Sequence, residues 1–313
     1  MRYYAEYLSR INSVSLSVES DECIEKLDIG GPSIQVLNEV IVLPAPVLPA
    51  SVELGSSKTS LRLPCSTIQE HDRSNQWAKN PPWTASELSR QKVVVKCRHC
   101  DRVLAKSIAV WKQLPSEHWA ELMDFWHCHK PHTHGEEFNP AYAVSKFEPQ
   151  PSLAYVSDAY LLIHPDDLDS CPHVSGEKVW KWDVTLSGAQ VESYPTQVFA
   201  ASMLCELIDS HAIYSFHLHD PDQQLRLLVW VFNRDIYYTS TGQLPKHGLK
   251  VMYSLDPAQF PTLYQTRGDV EDVILPLNAV SELRRTLEES TAKLPENASQ
   301  FGPWKIGLLA NEL

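Results

Sequence analysis

The sequence predicts an α+β protein, built mainly from antiparallel β-strands with a few packed helices and arranged as two lobes. Two observations lead to this fold class: short β-prone stretches recur along most of the chain, and helical apolar stripes occur at only a few places. The 313 residues, 43% of them hydrophobic, provide material for two modest cores. We expect three consecutive segments: an N-terminal β-rich lobe at 1–80, a cysteine- and histidine-rich insertion at 81–150 and a C-terminal α+β lobe at 151–313.

Residues 1 to 70 alternate β-prone stretches with clusters of turn-forming residues. Ser13–Val18 and Gln35–Leu37 have strand composition, and Gly30–Pro32 and Leu43–Pro46 are typical of turns. This pattern predicts an antiparallel β lobe. A polar stretch that ends in Pro81-Pro82 predicts a loop and a domain boundary near residue 80.

The middle segment begins with a strand, a tight turn and a second strand across Val93–Ala105, with Cys97 and Cys100 in the turn. Ser116 is a favourable N-cap, and apolar residues follow it at spacings of three and four. A short amphipathic helix is therefore expected to end at Cys128.

The second half combines strands with two helices. Apolar stripes predict helices at Thr196–Ser210 and Asn278–Ser290. The run Leu225–Tyr238 is rich in β-branched and aromatic residues and predicts one long strand, or a strand that continues past a bulge near Asn233 and Asp235. Shorter strands are predicted at Ala159–Ile163, Val179–Val184, Ile213–His219 and Trp304–Leu309.

The Cys-x-x-Cys turn and a later Cys/His cluster predict an inserted zinc knuckle. Zinc prefers thiolate and imidazole ligands in a closed tetrahedron, and a Cys-x-x-Cys turn supplies two of them. A second pair comes from the segment 127–134, about thirty residues further on. The predicted ligands of this structural zinc are Cys97, Cys100, Cys128 and His129. His127 and His132 stay open as alternatives to His129.

A catalytic metal centre is the sharper alternative for the same histidines. His127, His129, His132 and His134 lie close together, and His-x-His patterns also occur in hydrolases. No Asp or Glu lies between them to act as a ligand or a base. The structural site is therefore favoured, and a redox role is disfavoured because the predicted strands leave no helix start at the Cys-x-x-Cys turn.

Composition excludes several classes of function. The 39 acidic and 27 basic residues give a formal charge of -12, and no basic run interrupts the acidity, so direct nucleic-acid binding is not expected. No apolar run is long enough to span a membrane, and the N-terminus lacks a signal-peptide pattern. An odd cysteine count of seven favours metal binding over disulfides and predicts a nuclear and cytoplasmic protein. Gly-rich phosphate-binding motifs are absent.

Several blocks of sequence after the Cys97 turn occur in the order of a known family. They are Leu114–Trp119, Trp126–His129, Ser157–Leu162, Leu227–Asp235 and Trp304–Leu309. Together they resemble the HECT-like family of proteins that bind ubiquitin-conjugating enzymes, from about residue 60 onward. The resemblance implies binding of a charged ubiquitin-conjugating enzyme with proposed ligase activity. For fungal members it implies a role in messenger RNA 3′-end formation through the processing endonuclease.

The first hypothesis is thus a zinc-stapled interaction protein, and the alternative is a ubiquitin ligase that forms a cysteine thioester. A ligase needs an activated cysteine. Cys171, two positions from His173, is the most suitable thiol that the predicted zinc leaves over, whereas Cys205 lies on a predicted apolar helix face. Some relatives have a second Cys-x-x-Cys here, but Val174 replaces the second cysteine, so a second zinc site is not expected. No catalytic residue and no cofactor other than zinc follow from the sequence.

Overall fold

The computed structural model divides the protein into two compact units, which agrees with the two predicted lobes. The terminal unit combines Met1–Gln76 with Ile213–Leu313, and the middle unit is Trp77–Ala212. This division differs from the three consecutive segments expected at 1–80, 81–150 and 151–313, because strands from the two ends of the chain share one sheet. The structure describes residues 1–66, 82–106, 108–115, 148–174, 176–188, 193–256 and 269–311.

The predicted α+β class with mainly antiparallel strands is confirmed. Nine strands of the terminal unit form one sheet among the described residues. They are β1 (Arg2–Leu8), β2 (Ser13–Val36), β3 (Glu39–Pro64), β11 (Ser215–His219), β12 (Leu225–Ser240), β13 (Lys246–Ser254), β14 (Glu271–Ile274), β15 (Gln300–Phe301) and β16 (Trp304–Ala310). Their order is β15-β16-β13-β12-β1-β2-β3, and β11 pairs with both β12 and β14. The pairing of β11 with β14 is parallel, and the others in this sheet are antiparallel.

Strand β1 joins the two ends of the chain. Tyr4 of β1 is in register with Ser17 of β2 on one side and with Ser240 of β12 on the other. Because β1 pairs on both sides, the N-terminal β lobe and the last third of the chain belong to one sheet. A buried apolar cluster of β1, β2 and β3 adds to this unit.

Strands β2 and β3 form a long hairpin, which corrects two turns expected from the sequence. Val36 pairs with Glu39, so the hairpin turns at Leu37 and not at Gly30–Pro32 or Leu43–Pro46. Gly31 has a positive φ of 76° and lies where the register shifts, so it forms a bulge within β2. Strand β3 is last in the strand order, and an edge strand tolerates its prolines.

Strand β12 contains the predicted irregularity. Its register against β13 shifts between Val231 and Asn233 and again between Asn233 and Ile236. Its first half pairs with β11 and its last residues pair with β1, so the bulged stretch lets one strand serve two neighbours.

The helices of the terminal unit follow the last strands. They are α3 (Leu277–Ala292) and α4 (Glu296–Ser299), numbered after two helices of the middle unit. Helix α3 matches the prediction of Asn278–Ser290, and its buried residues recur at helical spacing and include Leu283 and Leu287. Near its end the Thr291 hydroxyl donates to the Ile306 carbonyl of β16 at 2.7 Å, which fixes the helix to the sheet.

The middle unit contains two small sheets and two helices in its described residues. The strands are β4 (Val94–Cys97), β5 (Val103–Ala105), β6 (Val110–Gln113), β7 (Leu153–Val156), β8 (Tyr160–Leu162), β9 (Lys178–Trp180) and β10 (Val184–Ser187). The sheets have the orders β10-β4-β5 and β6-β7-β8-β9, and only the β6–β7 pairing is parallel. The helices are α1 (Ala85–Ser89) and α2 (Thr196–His211).

Helix α2 confirms the helix predicted at Thr196–Ser210, and most of its residues are buried, as expected of a helix surrounded by the core. The strand expected at Val179–Val184 is interrupted by a 3₁₀ turn at Lys181–Asp183, so it becomes two strands in different sheets. The helix expected between Ser116 and Cys128 lies outside the described residues. No described helix is both long and apolar enough to span a membrane.

Candidate metal centre

The first half of the site is the turn that joins β4 to β5. The Cys97 amide donates to the Arg102 carbonyl at 2.8 Å, and the Asp101 amide donates to the Cys97 carbonyl at 2.9 Å. Asp101 adopts a left-handed φ of 56°, which reverses the chain within four residues. Cys97 and Cys100 therefore face the same point, and the predicted strand–turn–strand structure is confirmed.

The second half of the site is a turn that contains Cys171 and His173. An isolated antiparallel bridge joins Cys171 to Val174 and closes this turn. The His173 amide donates to the Cys171 thiol, as amides do in a metal-binding knuckle.

Hydrogen bonds hold the two turns against each other. The Arg102 guanidinium donates to the Ser170 carbonyl at 2.8 Å. The Asp169 amide donates to the Leu104 carbonyl of β5, also at 2.8 Å. Because these bonds flank the second turn on its N-terminal side, the Leu104 carbonyl of β5 and the Arg102 side chain position Cys171 next to the first turn.

Strand β10 supports the first turn from the other side. Val184 is in register with Cys97, and the Arg98 amide donates to the Asp183 carbonyl at 2.9 Å. The His99 Nε2 atom lies 3.4 Å from a carboxylate oxygen of Asp183, whose side chain is 9% exposed. The cysteine turn is thus held on two sides.

Four potential ligand atoms converge between the turns. The Sγ atom of Cys97 lies 3.7 Å from the Nδ1 atom of His173, and the Sγ atom of Cys171 lies 3.9 Å from the same nitrogen. The Cys100 and Cys171 sulfurs are 3.7 Å apart, too far for a disulfide, and all four cysteine and histidine ligand atoms lie within 4.8 Å of one another.

These separations match the edges of a tetrahedral zinc site. With zinc–sulfur bonds of about 2.3 Å, two sulfurs of a regular tetrahedron are roughly 3.8 Å apart, and a sulfur and a nitrogen are roughly 3.6 Å apart. The observed values are 3.7 Å between sulfurs and 3.7 and 3.9 Å between sulfur and nitrogen. The cluster could therefore hold a metal ion without rearranging its backbone.

The thiols differ in their ease of ionisation. The backbone amide of His173 is the largest cause that lowers the pKa of Cys171 to about 6, with neighbouring thiols and the imidazole assisting against desolvation. Burial raises the pKa of Cys97, although the amides of His99 and Cys100 partly oppose it. Metal ligation requires deprotonated sulfur, so the lowered pKa of Cys171 favours it as the first thiol of the cluster to bind a cation.

The predicted ligands are only partly among the described residues. Cys97 and Cys100 lie together in the cluster. Cys128 and His129, with the alternatives His127 and His132, lie outside the described residues, as does His134, so their roles stay predictions.

The sequence does not predict that Cys171 and His173 belong to the metal cluster. Their spacing suggests a candidate nucleophile and its neighbour, and Val174 argues against a metal site at this turn. The signal was the Cys-x-His spacing, which supplies two zinc ligands as a Cys-x-x-Cys turn does. Its partner turn is about seventy residues away in the sequence, so spacing alone did not connect the two.

The other described cysteines lie outside the cluster. Cys65 and Cys205 are buried, in agreement with the small hydrophobic role expected for Cys205. Among the described cysteines, Cys23 alone is exposed and also separate from the cluster.

Comparisons with known proteins give one family match and several distant relatives. The sequence profile of the family described as HECT-like Ubiquitin-conjugating enzyme (E2)-binding matches residues 6–306. An uncharacterised protein of Schizosaccharomyces pombe is 25% identical, with 73% of this chain and 76% of that protein covered. An uncharacterised protein of Saccharomyces cerevisiae is also 25% identical, with 98% of both chains covered. A protein of Rattus norvegicus that is named as an E3 ubiquitin-protein ligase is 22% identical, with 67% of this chain and 68% of that protein covered. No solved structure matches the chain significantly.

Proposed function

The chain belongs to the family of HECT-like ubiquitin-conjugating enzyme (E2)-binding proteins, and we propose that it is a zinc-stapled interaction protein that binds a charged ubiquitin-conjugating enzyme. The family match over residues 6–306 supports a role in the ubiquitin pathway. The four-ligand cluster in the middle unit is the observation that carries the zinc part of the proposal.

Zinc suits this cluster better than other common ions. Three sulfurs and one imidazole nitrogen are soft or borderline ligands, which calcium and magnesium do not favour. Four protein ligands also complete a tetrahedron, so no position is left for water or substrate. A zinc ion in this cluster therefore has a structural role: it joins the two turns that carry Cys97 and Cys171.

Zinc content of single variants tests this ligand set. We expect Cys171→Ser and His173→Asn to lower the bound zinc, measured by elemental analysis after dialysis, and to lower the unfolding temperature of the middle unit. Cys128→Ser is the matched control, because the proposed set does not include it. If Cys128→Ser loses zinc and Cys171→Ser does not, the set Cys97, Cys100, Cys128 and His129 is correct instead.

Binding of a conjugating enzyme is tested with the purified full-length chain. We expect a measurable dissociation constant for at least one ubiquitin-charged conjugating enzyme, determined by interferometry with a non-hydrolysable ubiquitin conjugate. Affinity should fall as salt rises, because the formal charge of -12 favours a basic partner surface. Binding to no member of a broad panel would contradict the proposal, and a flat salt dependence would contradict its electrostatic part.

The second candidate function is a ubiquitin ligase that forms a thioester. It is favoured by the rat relative, which is named an E3 ubiquitin-protein ligase. A single-turnover reaction with charged conjugating enzyme should then give a thiol-sensitive ubiquitin adduct on this chain, seen on a non-reducing gel. Loss of the adduct in Cys23→Ala, Cys171→Ala or Cys205→Ala would name the nucleophile. No adduct alongside measurable binding would favour the interaction protein.

A partner in messenger RNA 3′-end formation rests on the sequence resemblance to fungal members. The proposed partner is the processing endonuclease, in the nucleus, with a second population in the cytoplasm. The same binding assay with the purified endonuclease subunit tests this. Absence of binding at micromolar concentrations would remove that partner and leave the proposal for the conjugating enzyme unchanged.

A further inference from the structure

Two neighbouring strands of the terminal unit bring two histidines and an aspartate to one point. His217 and His219 are two residues apart on β11, so their side chains lie on the same face of the sheet. Strand β14 pairs in parallel with β11, and Asp272 is directly in register with His217. The sheet therefore fixes all three residues on adjacent positions.

Both imidazoles contact the same carboxylate oxygen. The Nδ1 atom of His217 lies 3.1 Å from Oδ1 of Asp272, and the Nε2 atom of His219 lies 2.9 Å from it. Two donors on adjacent corners of an octahedral site, each about 2.1 Å from the ion, are roughly 3.0 Å apart. These distances fit a metal site, and they also fit two hydrogen bonds.

The other nitrogen of His219 limits how a neutral imidazole can contact Asp272. Its Nδ1 atom lies 3.3 Å from the backbone carbonyl of Gln223, which can only accept a hydrogen bond. The Nδ1 atom of a neutral imidazole must then carry the proton, and Nε2 presents a lone pair to the ionised Asp272. That contact is repulsive unless a proton or a metal ion lies between the two atoms.

The Gln223 carbonyl is held in place by a tight turn. The Gln223 amide donates to the Asp220 carbonyl at 2.9 Å, and Gln223 has a positive φ of 58°. The Asp220 carboxylate accepts from the Gln224 amide at 2.9 Å and from Arg226 at 2.6 Å. A fixed carbonyl that orients the far nitrogen is the usual support of a metal-binding histidine.

We propose that His217, His219 and Asp272 form a second metal site, which takes a divalent first-row ion such as zinc. Two imidazoles and one carboxylate suit such ions, whereas calcium and magnesium prefer oxygen ligands alone. The Asp272 side chain is 72% exposed, and those of His217 and His219 are 27% and 19% exposed. The remaining coordination positions therefore face solvent, so the site takes an additional ligand, either water or a donor from a binding partner.

The site shares no residue with the cluster of the middle unit, and only its test rests on the proposal that this cluster takes the first zinc equivalent. The test begins with full-length protein loaded with one zinc equivalent, and zinc chloride is then titrated against it with binding followed by calorimetry. We expect a second, weaker equivalent in the wild type and at least a tenfold loss of its affinity in Asp272→Asn, since even outer partners of metal ligands change affinity by about 10–100-fold. Glu271→Gln removes the same charge from the adjacent residue, whose side chain points to the opposite face, and should retain the second equivalent.

A second measurement follows the metal in the wild-type protein and uses variants only to assign resonances. In wild-type protein with ¹⁵N-labelled histidines, zinc beyond the first equivalent should shift the ring resonances of two histidines, assigned with His217→Gln and His219→Gln. Absence of a second equivalent in the wild type, or its retention in Asp272→Asn, would show that the three residues form an ion pair and not a metal site.

Discussion

A buried lysine gives the middle unit a stability that depends strongly on pH. Lys181 has a relative exposure of 0%, and its Nζ atom donates to the Pro82 carbonyl at 2.7 Å and to the Trp83 carbonyl at 3.4 Å. Burial lowers its pKa from 10.5 to about 7, with partial opposition from nearby carboxylates, chiefly Asp158. The native amine is therefore easily deprotonated, although the unfolded chain keeps an ordinary lysine.

The direction of the effect follows from proton binding. Between pH 7 and 10.5 the unfolded chain holds a proton on Lys181 that the folded chain has lost, so stability rises with pH in this window. Across the whole window the difference is on the order of 5 kcal/mol, since each pH unit is worth about 1.4 kcal/mol. From pH 7 to pH 9.5, where the protein can be studied, the expected gain is about 3 kcal/mol.

Lys181→Met removes this gain. It also removes the donor of two backbone carbonyls, at a cost of about 1–3 kcal/mol for each one left without a partner. The prediction therefore concerns how the difference in free energy of unfolding between the wild type and Lys181→Met changes with pH. Between pH 7 and 9.5 this difference should shift by about 3 kcal/mol in favour of the wild type. Urea unfolding of the middle unit at several pH values, followed by hydrogen exchange of its amides, measures this difference.

Lys178→Met is the matched control, because Lys178 is exposed and lies on the adjacent strand β9. Its stability should parallel that of the wild type throughout the pH range. Parallel curves for the wild type and Lys181→Met would refute the reasoning, because they would show that Lys181 keeps the same charge in the folded and unfolded chains.

Three further changes have defined outcomes. The Nζ atom of Lys250 lies 2.7 Å from the Glu6 carboxylate, and Glu6→Gln removes this ionic partner. The variant should destabilise the terminal unit by about 2 kcal/mol in urea unfolding. An unchanged unfolding midpoint would show that the pair contributes nothing to stability. Gly307→Ala would place a Cβ atom 2.7 Å from a methyl group of Leu287, so the free energy of unfolding should fall by about 1–3 kcal/mol, as measured by thermal unfolding. Gly30→Ala is the control, because its Cβ atom meets only ordinary contacts and the variant should lose less stability. A strong chelator should lower the unfolding temperature of the middle unit, and a transition that is identical with and without the chelator would argue against a structural metal.

The elements of the second half could be predicted because their signals are local. Helix α2 at Thr196–His211 and strand β12 at Leu225–Ser240 each bury a stretch whose periodicity or composition is visible within one window. Even the bulge near Asn233 follows from three consecutive polar residues, Asn233 to Asp235, within an apolar run. The long hairpin was less accessible, because glycine and proline are common in turns but also occur in bulges and edge strands, and only pairing decides between them.

The composition of the units could not be predicted, because it depends on pairing between distant parts of the chain. Nothing near Tyr4 in the sequence specifies that Ser240 is its partner. The Cys/His cluster also brings together residues that are distant in the sequence. Cys97 and Cys100 were identified from their spacing alone. Cys171 and His173 join them through two hydrogen bonds that no motif records: the Asp169 amide donates to the Leu104 carbonyl of β5, and the Arg102 guanidinium donates to the Ser170 carbonyl.

The position of Cys171 also bears on the choice between an interaction protein and a ligase. A nucleophilic cysteine needs a nearby base and free access for the ubiquitin thioester, and His173 with a lowered Cys171 pKa of about 6 satisfies the first condition. The same histidine nitrogen, however, lies 3.7 Å from Cys97, and the Cys171 sulfur lies 3.7 Å from Cys100. A catalytic pair does not require two additional thiols at the corners of a tetrahedron, whereas a structural ion does. A metal bound there would occupy the lone pairs of the thiolate, so the arrangement of the four groups favours a structural metal over nucleophilic catalysis at Cys171.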